Sequence, residues 1–141
     1  MKKLLLTSLF AAVCIVANAQ SQNNLENAQV KTTFTSKFNA APVSYVTYDD
    51  GTVYAAHASN NQWSVFKIDG TYIQTETNIT ADEVPAAIKQ DATQRFGTNV
   101  QYRKVVRATG EELYSLLYTK GTSTVEVYYN ANGEMNSRAI R

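Results

Sequence analysis

The chain has 141 residues, in which 13 Lys and Arg nearly balance 12 Asp and Glu for a net charge of +1, with one histidine and one cysteine. That balance offers no basic stripe able to track a phosphate backbone, which argues against a nucleic-acid partner. A single cysteine excludes a disulfide framework, so stability has to come from an apolar core; a chain of this size buries roughly two-thirds of its unfolded surface.

The first residues read as an export signal. Met1-Lys2-Lys3 is a basic start, Leu4 to Val16 is mostly apolar but too short to span a bilayer, and Ala17-Asn18-Ala19 is a small-x-small cleavage site. An uncleaved anchor would need a longer apolar run. Lipidation at Cys14 would need a small residue before it, where Val13 stands. Cleavage after Ala19 is therefore expected, giving a periplasmic or secreted product of 122 residues without cysteine. Loss of Lys2 and Lys3 leaves 11 basic against 12 acidic residues, a net charge of −1. No later apolar run is long enough for a membrane span.

Residues 20–26, rich in Ser, Gln and Asn, read as a flexible leader. Val30, Phe34 and Phe38 then recur every four residues, one face of a helix, which Asn39 and Pro42 end. Strands are predicted at 43–48, 52–58, 62–68 and 71–77, separated by the turn pairs Asp50-Gly51, Asn60-Asn61 and Asp69-Gly70. The pattern restarts at Thr80-Ala81-Asp82-Glu83, which reads as a capping box opening a second helix, with Pro85 in its first turn. Val84, Ile88, Ala92 and Phe96 form its apolar stripe, and Gly97 suits its end. Further strands are predicted at 100–107, 112–119, 124–130 and 134–139, with turns at Gly110, Gly121 and Asn132-Gly133.

The two halves echo each other. Val30 to Phe38 matches Ile88 to Phe96 at an offset of 58, and Asp69-Gly70 matches Asn132-Gly133 at 63, so five residues have entered the hairpins between. The expected architecture is α+β: two tandem units, 27–78 and 79–141, each a helix followed by a four-stranded antiparallel meander, with the helices on one sheet face. Residues Val84-Pro85-Ala86-Ala87-Ile88, Phe96, Tyr102, Tyr114 to Tyr118 and Val125 to Glu134 carry a resemblance. With them the second half resembles the PepSY-like, β-lactamase-inhibitor-protein-like (BLIP-like) domains of bacterial envelope proteins. The first half is a looser copy that keeps Phe38, Tyr54, Phe66 and Asp69-Gly70. The resemblance implies helices against an antiparallel sheet and a role in binding or restraining other proteins.

Alternation along the strands divides their side chains between two faces. Tyr114, Leu116, Tyr118 and Val125, Val127, Tyr129 are expected to face the helices, with Tyr54, Ala56, Ala58 and Ser64, Phe66, Ile68 as their counterparts in the first half. The opposite face would carry Ala55, His57, Trp63, Val65 and Lys67, then Ser115, Leu117, Glu126 and Tyr128. Trp, Tyr, Val and Leu beside a few charges is the composition of a protein-binding surface. The candidate partner-binding set is His57, Trp63, Val65, Lys67, Leu117, Glu126 and Tyr128. The same residues also suit cross-strand pairs that merely stabilise a sheet.

Catalytic chemistry finds little to use. His57 is the only imidazole, the mature chain has no thiol, and no Gly-x-Ser-x-Gly elbow exists. Asp49-Asp50 and Glu111-Glu112 fall at turns, while Asp82-Glu83 and Asp91 suit a helix start and a solvated helix face. No cofactor, metal or enzymatic activity is expected. The reading that follows is an exported, non-catalytic module that binds or inhibits an envelope or extracellular protein or peptide through the open sheet face. The alternative is a periplasmic carrier or sensor with a ligand between sheet and helices.

Overall fold

The computed structural model describes residues 22–23 and 25–140. The expected signal peptide and its cleavage site lie outside the described residues. The fold is α+β, with two α-helices among the described residues and antiparallel strands in open meander order. The chain divides into two compact units, one ending at Thr75 and the other beginning at Glu76.

In the first unit, helix α1 (Ala28–Phe38) starts at Asn27, whose side-chain oxygen accepts from the Val30 amide at 2.9 Å. That bond satisfies one of the amides a helix start leaves without a partner. The same side chain donates to the Ile68 carbonyl at 3.0 Å, tying the helix start to a hairpin. Asn39 ends the helix at φ 51°, a left-handed conformation that asparagine tolerates better than most residues. Strand β1 (Gln22–Asn23) precedes the helix and β2 (Ser44–Tyr48), β3 (Thr52–Ala56) and β4 (Gln62–Lys67) follow it, each strand antiparallel to the next. Part of the expected flexible leader is thus a strand: Gln22 and Asn23 pair with Tyr48 and Thr47. Strand β5 (Tyr72–Ile79) begins in this unit and runs on into the other.

Val30 and Phe34 of α1 close over Tyr45, Val53, Ala55 and Phe66, with Phe38 and Tyr72 at the margin. This reverses the expected facing of β3. Val53 and Ala55 are buried against the helix, while Tyr54 lies on the other face with its ring 5.4 Å from that of Tyr48. The cause is register: Val53 stands opposite Phe66, so they share a face, and Ile68 donates to the Gly51 carbonyl at 2.8 Å to hold that alignment. A small Ala55 leaves room for the Phe34 ring, whereas a tyrosine hydroxyl belongs where it can stay wet. Ala58, also expected in the core, lies beyond the end of β3.

In the second unit the capping chemistry is present but caps something shorter. The Glu83 carboxylate accepts from the Thr80 amide at 2.7 Å and from its hydroxyl at 3.0 Å, around a 3₁₀ turn at Ala81–Glu83. Val84 then adopts an extended backbone at ψ 135°, and helix α2 (Ala86–Phe96) starts only after Pro85. The proline ring is the reason, since it excludes helical geometry from the residue before it. Pro85 therefore precedes the helix and does not sit in its first turn.

Strands β6 (Gln101–Arg107), β7 (Glu112–Lys120), β8 (Ser123–Asn130) and β9 (Met135–Ile140) complete this unit, each antiparallel to the next. Val84, Ile88 and Ala92 pack on Tyr102, Leu116, Val125, Val127 and Tyr129, and Phe96 stacks on Tyr118 at 4.6 Å. Here the helix-facing set is the one the alternation predicts. Tyr129 is fully buried, and its hydroxyl donates to Asp91 of α2 at 2.9 Å. Asp91 also accepts from Arg95 at 2.7 Å.

One contact recurs in both units. The turn glycine Gly70, at φ +86°, lies so close to α1 that an added Cβ would sit 3.0 Å from the Gln29 carbonyl oxygen. Gly133, at φ +88°, lies equally close to Ala87 of α2.

Candidate functional site on the sheet face away from the helices

In the first unit this face is built from rows of paired residues. Val46, Tyr54 and Val65 stand side by side across β2, β3 and β4, Ala56 faces Trp63, and Thr52 faces Lys67. Val46, Tyr48 and Val65 are buried, Tyr54 and Trp63 are half-buried, and Lys67 is exposed. An apolar floor with two aromatic rings at its surface and a lysine beside them results.

In the second unit the face away from α2 is dominated by buried polar groups. Arg103, Ser115 and Tyr128 stand in one row, Gln101, Leu117 and Glu126 in the next, and Val105 pairs with Leu113. Arg103 donates to Glu76 at 3.0 Å, their side chains 5% and 1% exposed, and its Nε donates to Asn78 at 3.2 Å. A buried pair holds only with good geometry and further hydrogen bonds, because both ions have given up water. Asn78 supplies one such bond.

The seven candidate residues therefore do not form one exposed patch. Trp63 and Tyr128 are half-buried and Lys67 is exposed. Val65, Leu117 and Glu126 are 3%, 4% and 0% exposed and lie beneath the surface. His57 is on the opposite side: its ring packs 4.5 Å from Phe34 and 4.6 Å from Phe38 of α1. It follows the same reversed phase as Val53 and Ala55. The Arg103–Glu76 pair was not anticipated. Its partners are 27 residues apart, and a charge within an otherwise apolar strand gives no local sign of whether it is buried.

Around His57 the polar groups are joined. Its Nε2 lies 2.8 Å from Ser64 Oγ, which lies 2.8 Å from Thr75 Oγ1, which in turn lies 2.8 Å from the Tyr72 hydroxyl. A serine beside an imidazole resembles a nucleophile with its base, but Ser64 is fully buried beneath the helix. A nucleophile has to be reached by its substrate. Burial holds the imidazole pKa below its ordinary value of 6.5. Among the described residues, no three His, Cys, Asp or Glu side chains gather as a metal site. No helix among them is long and apolar enough to cross a membrane.

No family model matches the chain, and no curated protein does. Solved structures share its fold. A DUF2874 family protein from Bacteroides ovatus superposes with a TM-score of 0.63 at 16% identity, over 84% of this chain and 89% of the other. A protein of Bacteroides eggerthii thought to be periplasmic gives 0.56 at 13% identity, over 82% and 89%. A BLIP-like protein of Bacteroides fragilis gives 0.46 at 11% identity, over 96% and 83%, too loose a likeness to build on. The chain thus has the fold of DUF2874-type and presumed periplasmic Bacteroides proteins.

Proposed function

We propose that this protein is a non-catalytic module of the bacterial envelope that captures a protein or peptide partner on the sheet face away from the helices. The observation that carries this reading is the first unit's apolar floor of Val46, Tyr48 and Val65, with half-buried Trp63 and exposed Lys67 above it. Aromatic anchors over a dry floor, rimmed by a charge, are the arrangement in which few residues supply most of the binding energy. Tyr128 is the corresponding anchor in the second unit. Val65, Leu117 and Glu126 act beneath these anchors as support. Export after Ala19 agrees with the fold shared with a protein thought to be periplasmic. The only imidazole is engaged with a serine that no substrate can reach, which favours binding over chemistry.

The two units are read as copies of one scaffold of the PepSY-like kind. Gln29 and Ala87, each the second residue of its helix, are 58 apart, and the turn glycines that approach them, Gly70 and Gly133, are 63 apart. These are the two offsets of the sequence echo.

The test uses the tagged mature chain crosslinked in envelope extracts of its host. Trp63→Ala with Tyr128→Ala should abolish recovery of a partner that the wild type captures, with the melting temperature nearly unchanged. Parallel loss of stability and capture, or capture that survives both substitutions, overturns the assignment.

A further inference from the structure

The run His57–Ser64–Thr75–Tyr72 lies under α1 and has one notable property: three contacts and three hydroxyl protons. With His57 neutral and its proton on Nδ1, Nε2 accepts from Ser64, Ser64 accepts from Thr75, and Thr75 accepts from Tyr72. Each hydroxyl gives its one proton and every contact is a hydrogen bond. Protonation of His57 puts a second proton on Nε2. That nitrogen must then donate to Ser64, Ser64 to Thr75, and Thr75 to Tyr72, whose own proton has to turn away from the chain. One proton gained at the imidazole reverses three hydroxyls, and no other proton is lost or gained.

The surroundings of His57 favour the neutral form. Helix α1 presents the rings of Phe34 and Phe38, β4 presents Ser64, and β5 presents Thr75 and Tyr72. The charge at this end is a cation: Lys37 Nζ lies 4.3 Å from the centre of the Tyr72 ring and 5.8 Å from that of Phe38. Among the described residues no carboxylate pairs with His57. Aromatic faces attract cations, but Lys37 already draws on Phe38. A positive charge on His57 would meet the cost of burial.

We infer that His57, backed by this chain of hydroxyls, is an acid-sensitive latch between α1 and its strands: the neutral ring packed on Phe34 and Phe38 keeps the helix seated, and protonation loosens it. The sign follows from linkage. A histidine harder to protonate when folded contributes stability that is complete above its ordinary pKa of 6.5 and is lost as the pH falls below it. At pH 5.0 an opened, ordinary imidazole is favoured by at most about thirtyfold over one that cannot take the proton. That factor is the ceiling on the effect.

Amide hydrogen exchange on the full mature chain at pH 7.5 and 5.0, corrected for intrinsic rates, tests the latch with α2 as the internal control. Protection in α1 should fall several-fold relative to α2 at pH 5.0, and by no more than about thirtyfold. His57→Tyr and His57→Gln, neither of which can take up the proton, should abolish that difference. Tyrosine in contact with the last helical phenylalanine already occurs in the second unit, as Tyr118 on Phe96. If the tyrosine variant does not fold, the glutamine variant carries the comparison. Constant protection of α1 in the wild type, the same fall in a variant, or an imidazole titrating by NMR at or above 6.5 in the wild type each overturns the latch.

Discussion

Replacing Arg103 by methionine should be among the most damaging single changes in the second unit. Methionine keeps the aliphatic stem but removes the guanidinium that lies 3.0 Å from Glu76, whose side chain is 1% exposed. A carboxylate left in that position has lost both water and its cation. Breaking a buried pair by removing one partner costs about 3–5 kcal/mol. The oxygen of Asn78 loses its 3.2 Å donor as well, which adds about 1 kcal/mol at most. With a urea slope of about 2 kcal/mol/M for a chain of this size, the midpoint should fall by about 1.5–3 M. The informative variant is the double one, Arg103→Met with Glu76→Leu. It removes both charges and their desolvation together, so most of the loss should return, to within about 1–2 kcal/mol of wild type. Urea titrations of the wild type, Arg103→Met, Glu76→Leu and the double variant, followed by far-ultraviolet circular dichroism at pH 7, close the cycle. If the double variant is as unstable as Arg103→Met alone, the guanidinium acts by packing and the stranded-charge argument fails. A loss below about 1 kcal/mol in the single variant would show that solvent reaches the pair.

Two further predictions separate local from tertiary effects. Gly70→Ala and Gly110→Ala both force a side chain into positive φ, +86° and +87°, at about 1–2 kcal/mol each, but only at Gly70 does the new methyl meet backbone, 3.0 Å from Gln29. Gly70→Ala should therefore lose at least about 1 kcal/mol more by urea titration, and equal losses would refute the close approach. Tyr129→Phe deletes a donor to Asp91 and should cost about 1 kcal/mol at pH 7. The Asp91 carboxyl is held below its ordinary 3.8 mainly by Arg95, with Tyr129 a smaller cause, so its pKa in the variant should rise by NMR yet stay depressed. Because a lowered carboxyl pKa stabilises above the unfolded value and is lost as pH falls through the folded one, the gap between variant and wild type should narrow below pH 3.8. A gap that stays constant to pH 2 would rule out ionised Asp91 as the acceptor.

Where interactions are local, the chain announces them. The fourfold spacing of Val30, Phe34 and Phe38, and of Ile88, Ala92 and Phe96, marks the buried side of each helix before any packing is known. Asp69-Gly70 and Asn132-Gly133 mark hairpins because few other pairs accept their backbone angles, and both glycines have positive φ. Thr80 and Glu83 do meet as a capping pair, but a second local rule, the constraint Pro85 sets on Val84, makes the helix begin later. The facing of β3 was illegible for a different reason. Val53, Tyr54, Ala55, Ala56 and His57 carry no clear alternation, so size suggested the tyrosine as the inner residue. The pairing of Val53 with Phe66, thirteen positions along the chain, decided otherwise.

The candidate face divides along the same line. That Trp63, Val65 and Lys67 share a side follows from the pleat of one strand, and so does the sharing by Glu126 and Tyr128. Which of them reach the surface does not, because exposure depends on neighbours contributed by other strands. Sequence alone was sufficient for two helices, a series of antiparallel strands and their turns, since each rests on backbone geometry or on contacts a few residues apart. Only the tertiary structure buried Arg103 with Glu76, sank Val65, Leu117 and Glu126, and turned His57 inward onto Phe34 and Phe38. Those outcomes depend on strand register, a long-range match between distant segments that no single strand encodes.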